Sequence, residues 1–282
     1  MLDAMNSIYM SFFQAKRQLK ENEGIEDFTE KHIPFFLHVY LQKLNRLFST
    51  YKRIVICQEG INSTKWRKEI YPAYKQNRDE KKDTEEHKIF VSSLRLIEEI
   101  FNYYPCKVMK VDNCEADDVI FTLSVHLKDK WDKITVLTTD RDLVQIINHN
   151  PKAEIFNPIT SVYYEADSHI IERKSIVGDT SDNIQGLYRV GEKTFEKMLV
   201  DNLLWQKKMN EGNNFEVFEK TKQIVDLSKF PDDYRKEIIK QWEEKDFNEF
   251  KPDDLEVFFW ENKLSYMIDK WGTMRNEILV EG

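Results

Sequence analysis

The chain is predicted to be an α/β protein whose first part carries a mainly parallel sheet flanked by helices, followed by a mostly helical remainder. Three observations predict it. Short apolar runs alternate with amphipathic segments up to about residue 164, the pattern of βα units. Strand signals then nearly vanish after about residue 171. The 282 residues are 41% hydrophobic and 13% aromatic, enough for a packed core.

Taken in order, Met1-Leu2-Asp3 leaves room only for a strand stub, and Ile8 to Phe13 opens a helix. Arg53 to Cys57 reads as a buried strand ending at Gln58-Glu59-Gly60. Lys107 to Val111 reads as a shorter, more polar strand, followed by Asp112 to Asp118 and a helix from Val119 to about Lys128. Lys133 to Leu137 is a further strand ending at Thr138-Thr139-Asp140, with a helix from Arg141 to about Ile147. Ala153 to Phe156 and Ser161 to Tyr164 read as strands around the Asn157-Pro158 turn. With no repeat or low-complexity linker, the chain is expected to divide into residues 1–171 and 172–282.

Composition excludes several classes. The longest apolar runs fall well short of the roughly 18–20 residues of a membrane span. Lys16 and Arg17 follow the N-terminal apolar stretch rather than preceding it, unlike a signal peptide. Cys57, Cys106 and Cys114 lack zinc-finger spacing and cannot form a disulfide framework. A cytoplasmic protein with no membrane partner is expected. The formal net charge is −8, yet residues 62 to 82 hold seven basic against three acidic residues, a local +4. Residues 201 to 282 hold 13 Lys+Arg against 19 Asp+Glu. Acidity is thus regional, and the basic segment keeps nucleic acid among the partners.

Carboxylates gather at the C-terminal ends of predicted strands: Asp3, Glu59, Glu115 with Asp117 and Asp118, and Asp140 with Asp142. In open α/β sheets that edge is where ligands bind. Like charges brought together resist joint ionisation, and hard divalent cations with oxygen ligands relieve this. With no His beside these acids, and Cys57 and Cys114 lacking zinc-ligand spacing, the pattern points to Mg²⁺ rather than zinc. The plain alternative is a solvated acidic surface, and Glu165-Ala166-Asp167 shows the tripeptide recurring outside such a setting.

Four ordered motifs then converge. Glu115-Ala116-Asp117-Asp118, Thr139-Asp140-Arg141-Asp142 with Gln145, Gly178-Asp179-Thr180-Ser181-Asp182-Asn183-Ile184, and the basic run Arg67 to Arg78 resemble the signature elements of the 5′-nuclease superfamily of flap endonucleases and 5′→3′ exonucleases. The spacing and the aromatic-rich C-terminal helices resemble its T-even phage ribonuclease H branch, which acts on RNA primers and DNA.

That resemblance implies a PIN-like mainly parallel sheet flanked by helices, with a helical arch over about residues 67–95. A helical C-terminal domain with a helix–three-turn–helix over about 176–200 would follow. Asp3, Glu115 and Asp117 would hold a first Mg²⁺, with Mn²⁺ able to substitute. Asp140, Asp142, Asp179 and Asp182 would hold or orient a second, and Asp118 would stand behind or between them. Glu59 stands where the family usually has Asp. Lys75 and Arg78, three apart on one face if helical, would grip the scissile phosphate. Arg67 would join the nucleic-acid contacts and Tyr74 would stack on an unpaired base. The hairpin Gly186 to Thr194 would grip duplex through Gly186, Arg189, Gly191, Lys193 and Thr194, with a monovalent cation as an option there. Arg189 replaces a common Gly.

The implied activity is two-metal phosphodiester hydrolysis that removes RNA primers and short DNA flaps in phage replication. The alternatives are a catalytically weakened nucleic-acid binder of the same fold and a related nuclease acting mainly on RNA. A metal-dependent phosphatase is disfavoured by the basic segment. Flapped DNA and RNA–DNA hybrid are the expected partners of a monomer. Phe258-Phe259-Trp260 with Leu264 and Met267 reads as core, with a docking surface for a single-stranded-DNA-binding protein or sliding clamp as the alternative. Trp66, Trp205 and Trp242 read as packing, and Cys57 as core.

Overall fold

The computed structural model describes residues 1–81 and 84–279; Lys82 and Asp83, inside the expected arch, lie outside the described residues. In order the elements are β1 (Leu2–Asp3), α1 (Ala4–Glu23), α2 (Ile33–Thr50), β2 (Ile54–Glu59), α3 (Lys65–Ile70) and α4 (Glu85–Ile100). There follow β3 (Cys106–Val111), α5 (Ala116–His126), β4 (Ile134–Leu137), α6 (Gln145–His149), β5 (Ala153–Asn157), β6 (Val162–Tyr164) and α7 (Ile170–Val177). The last are β7 (Gly178–Asp179), β8 (Ile184–Gln185), α8 (Glu192–Val200), α9 (Asn202–Met209), α10 (Asn214–Val225), α11 (Asp232–Glu244), α12 (Pro252–Glu261) and α13 (Ser265–Leu279).

The chain divides into two compact units. One comprises Met1–Cys57, Lys81–Met109 and Trp242–Gly282; the other comprises Gln58–Glu80 and Lys110–Gln241. Residue 171, the expected division, falls in the first turn of α7, inside the second unit.

In the first unit the N-terminal strand is indeed a stub, pairing parallel with β2 through Leu2↔Ile56 and Asp3↔Cys57. Asp3 then caps α1 by accepting from the Asn6 amide at 3.1 Å. Along α1, Ala4, Ile8, Phe12, Ala15 and Leu19 recur at helical spacing and are buried. Phe12 meets Phe28, Phe36 and Phe90 edge-on at 4.8–5.3 Å. The helix α2 packs against α1, α4 and α13. Phe258, Phe259, Leu264 and Met267 are buried, as the core reading expects, and Phe259 meets Trp271 at 5.4 Å. Trp260 departs from it, 62% exposed.

In the second unit β4 runs parallel to β5 from Ile134↔Ala153 to Leu137↔Phe156, and β6 returns antiparallel to β5. The helix α5 starts three residues earlier than expected. Glu115 and Asp118 form a reciprocal capping box, and acids in its first turn suit the helix dipole. Conversely, the helix expected from Arg141 begins as a 3-10 turn over Asp142–Val144, because the Asp142 amide bonds the Asp140 carboxylate at 2.8 Å. The mostly helical remainder after residue 171 also holds one short antiparallel pair, β7 and β8. Two residues per strand leave no alternation to read. Gly178, at φ +91°, and Gly186 make this ribbon possible: a Cβ on Gly186 would lie 2.2 Å from the Val177 carbonyl oxygen.

Candidate functional site

The second unit brings most of the expected site residues together in two linked groups. The first centres on Glu115, buried at the start of α5. It accepts from Tyr74 Oη at 3.0 Å, from the Lys75 ammonium, and lies 2.6 Å from Arg67 Nη1. Burial pushes its carboxyl up, but Arg67 and Lys75 outweigh that and hold it at about 2. Glu59 closes β2 and accepts weakly from Ser63 at 3.5 Å. Burial raises its carboxyl against the pull of Lys75, and Glu115 adds to the rise.

The second group comprises Asp142, Asp179 and Asp182, whose oxygens lie within 4.8 Å of one another. The Lys174 ammonium sits among them, bonded to Asp142, 2.8 Å from Asp179 Oδ2 and 3.1 Å from Asp182 Oδ2. Burial, Asp140 and Asp182 raise Asp142, and with Lys174 opposing they leave it at about 6. Burial also raises Asp179, but Lys174 and the Ser181 hydrogen bonds outweigh it and hold the group at about 2. Asp140 orders the approach by accepting from the Asp142 amide.

The groups are joined through Asp182. Its Oδ1 accepts from Arg78 at 2.9 Å and lies 3.9 Å from Lys75 Nζ, while its carbonyl accepts from the Lys75 amide at 2.9 Å. Asp117, Asp142, Lys174 and Asp182 line one small cleft with Arg67 and Tyr74. Among the described residues, Glu59, Glu115, Asp117, Asp118, Asp140, Asp142, Asp179 and Asp182 gather around four cations, Arg67, Lys75, Arg78 and Lys174. Fully ionised, they leave a net charge of four negative units, which two divalent cations would balance. An oxygen-only donor set that already collects an ammonium fits a hard divalent ion.

Asp118 stands behind the acids and is spent on structure: it takes Arg67 through both oxygens at 2.7 and 2.9 Å and the Glu115 amide at 2.9 Å. Several other expectations need correction. Arg67, 2% exposed, also donates to the Ile224 carbonyl at 3.0 Å, so it braces the acids and cannot reach nucleic acid. Tyr74, 4% exposed, offers no face to a base; its hydroxyl serves Glu115. Lys75 and Arg78 do not share a helix face, because Lys75 stands in a turn at φ +54° before a 3-10 helix over Gln76–Lys81. Gly186 is needed for backbone packing, as described, rather than for approach to phosphate.

Asp3 belongs to the other unit, at the end of β1. In the hairpin, Leu187 and Val190 are buried with Ile176, Phe195 and Met198. Tyr188, Arg189, Gly191 and Lys193 are exposed and Thr194 is half-buried. The Arg189 guanidinium lies 4.8 Å from the Tyr188 ring. Sequence reasoning missed Lys174, whose only signal is a basic residue in the last turn of the helix leading into Gly178-Asp179.

Comparison with known proteins agrees with this architecture. Residues 1–179 match the family described as the 5′-3′ exonuclease, N-terminal resolvase-like domain, and the chain belongs to that family. It is 27% identical over 213 residues to DNA polymerase I of Lactococcus lactis, covering 71% of this chain and 23% of that protein. It is 28% identical over 167 residues to the 5′-3′ exonuclease of Buchnera aphidicola, covering 55% of this chain and 56% of that one. The chain thus spans about a quarter and about half, respectively, of these relatives. The bacteriophage T5 flap endonuclease, solved with DNA and metal ions, shares the fold at 20% identity and a TM-score of 0.61, over 86% of this chain and 98% of that one. Among the described residues no helix is long and apolar enough to cross a membrane.

Proposed function

We propose that the protein is a structure-selective 5′-nuclease that hydrolyses phosphodiesters with two bound Mg²⁺ ions, Mn²⁺ substituting. The carrying observation is the pair of carboxylate groups joined through Asp182, with more negative charge than their own cations balance. Glu59, Glu115 and Asp117 would hold one ion; Asp142, Asp179 and Asp182, with Asp140, would hold or orient the other. Such ions supply Lewis acidity and charge neutralisation at phosphorus.

The chain's own residues supply the rest. Arg67, Lys75 and Tyr74 keep Glu115 ionised and fixed in orientation. Arg78, half-exposed above Asp182, is the group best placed to bind the scissile phosphate, with Lys75 beside it. Residues 172–282 would add duplex contacts through a helix–three-turn–helix, where Arg189, Gly191, Lys193 and Thr194 follow α7, with a monovalent cation at the hairpin.

Flapped DNA and RNA–DNA hybrid are the proposed substrates. Primer and flap removal in phage replication is the proposed role, by a cytoplasmic monomer acting with a replication partner. Support comes from family membership and from the phage T5 flap endonuclease, whose fold covers most of this chain. The test is to incubate a 5′-labelled flapped duplex and an RNA-primed duplex with the protein, with and without Mg²⁺, beside Asp142→Asn. Mg²⁺-dependent release of short 5′ products, lost in the variant, is expected. Tight binding without cleavage would overturn the reading in favour of a silent binder.

A further inference from the structure

The three carboxylates of the second group already hold a cation that belongs to the protein. Lys174 reaches from the last turn of α7, with its side chain 10% exposed, and its ammonium contacts one oxygen of each of Asp142, Asp179 and Asp182. Those are the atoms that a divalent ion would need. Mg²⁺ binds oxygen at about 2.0–2.1 Å, so an ion bound to these oxygens would occupy the space the ammonium fills. Two cations cannot share that space.

We propose that Lys174 is the resident counter-ion of this pocket and competes with the divalent ion for it. The inference rests on the metal-dependent reading above. One positive charge among three negative ones holds the metal-free pocket together without neutralising it. A divalent ion neutralises more, and the lysine stem has the rotational freedom to withdraw. Lys174 is therefore a positioning residue with two states: docked in the metal-free protein and displaced in the loaded one. Lys75 differs, because its main partner is Glu115 and Arg67 secures that carboxylate independently.

The experiment is calorimetric titration of the full chain with MgCl₂ and with MnCl₂, comparing the parent with Lys174→Met and Lys174→Gln, alongside thermal melts in EDTA and in saturating Mg²⁺. Gln keeps a polar head should Met not fold. Removing the competing charge is expected to tighten divalent binding by roughly 10- to 100-fold. It should also lower the melting temperature in EDTA, with recovery in Mg²⁺. Equal or weaker metal binding by both variants would overturn the competition while leaving the metal site intact. Absence of any binding heat or melting shift in all three proteins would overturn the metal reading and this inference with it.

Discussion

Arg67 clamps Asp118 through both terminal nitrogens, at 2.9 and 2.7 Å, while its Nε bonds the Ile224 carbonyl, and both side chains are almost wholly buried. All three guanidinium nitrogens are thus engaged, one of them also 2.6 Å from Glu115. A lysine could not reproduce that fork. Arg67→Met strands Asp118 and Glu115 without a cation and is expected to cost about 3–5 kcal/mol, read by urea denaturation. Arg67→Lys should recover only part of that loss.

The two cations nearest Asp182 Oδ1, Arg78 and Lys75, should separate in kinetics. Arg78→Ala is expected to weaken binding of a flapped duplex and to reduce its salt dependence by about one phosphate contact. Lys75→Ala, which frees Glu115 from a buried partner, should lower turnover by about 10²-fold or more with little change in binding. Single-turnover rates and salt-titrated binding curves check both, and equal losses of binding and rate in Lys75→Ala would contradict the assignment.

Arg189 holds φ +56°, a left-handed conformation that costs a side-chain-bearing residue about 1–2 kcal/mol and a glycine almost none. Set against glycine's greater freedom in the unfolded chain, Arg189→Gly is expected to stabilise by about 0.5–1 kcal/mol. It should also weaken duplex binding, because an exposed guanidinium is lost. Melting and binding measurements on the same preparation would show the two effects opposed.

Lys43 gives the alkaline limb a defined sign. Burial lowers its ammonium from the ordinary 10.5 to about 8. Between those values the unfolded chain binds more protons, so this residue makes stability rise with pH from 8 to 10.5, and its full penalty stands below 8. Because the side chain keeps some solvent contact, Lys43→Met is expected to gain on the order of 1–2 kcal/mol at pH 7. That gain should shrink toward zero by pH 10.5. Urea denaturation of both proteins at pH 7 and pH 10 measures the difference, in which effects common to both cancel.

How much of this was legible depended on whether the information is local. Asp140 and Asp142, or Asp179 and Asp182, announce themselves by spacing along a few residues, as does β2 with its continuous apolar run Ile54–Cys57. What Arg67 and Tyr74 do is set by residues 41 to 157 positions away, and Lys174 adds to its near neighbours Asp179 and Asp182 a partner 32 positions away, through burial that no short window contains. A basic run therefore read as one phosphate-facing surface, although two of its members point inward. The ribbon of β7 and β8 escaped for the opposite reason, being too short to carry any period.

The turn carrying Lys75 is stitched to the turn carrying Asp182 by hydrogen bonds that each engage a main-chain group. Beyond the Lys75 amide on the Asp182 carbonyl, Asn183 Nδ2 donates to the Ala73 carbonyl at 2.7 Å, Asn77 Nδ2 to the Thr180 carbonyl at 2.8 Å, and the Gln185 amide to the Tyr71 hydroxyl at 3.2 Å. The partners are more than a hundred residues apart in sequence. During synthesis, a ribosome that has released everything up to β6 has therefore exposed the basic turn and Glu115 without the acids that face them from the other turn. The basic turn meets its acidic counterpart only once Asp182 has emerged, so the two carboxylate groups are joined late in the order of synthesis, however early each strand before them has formed.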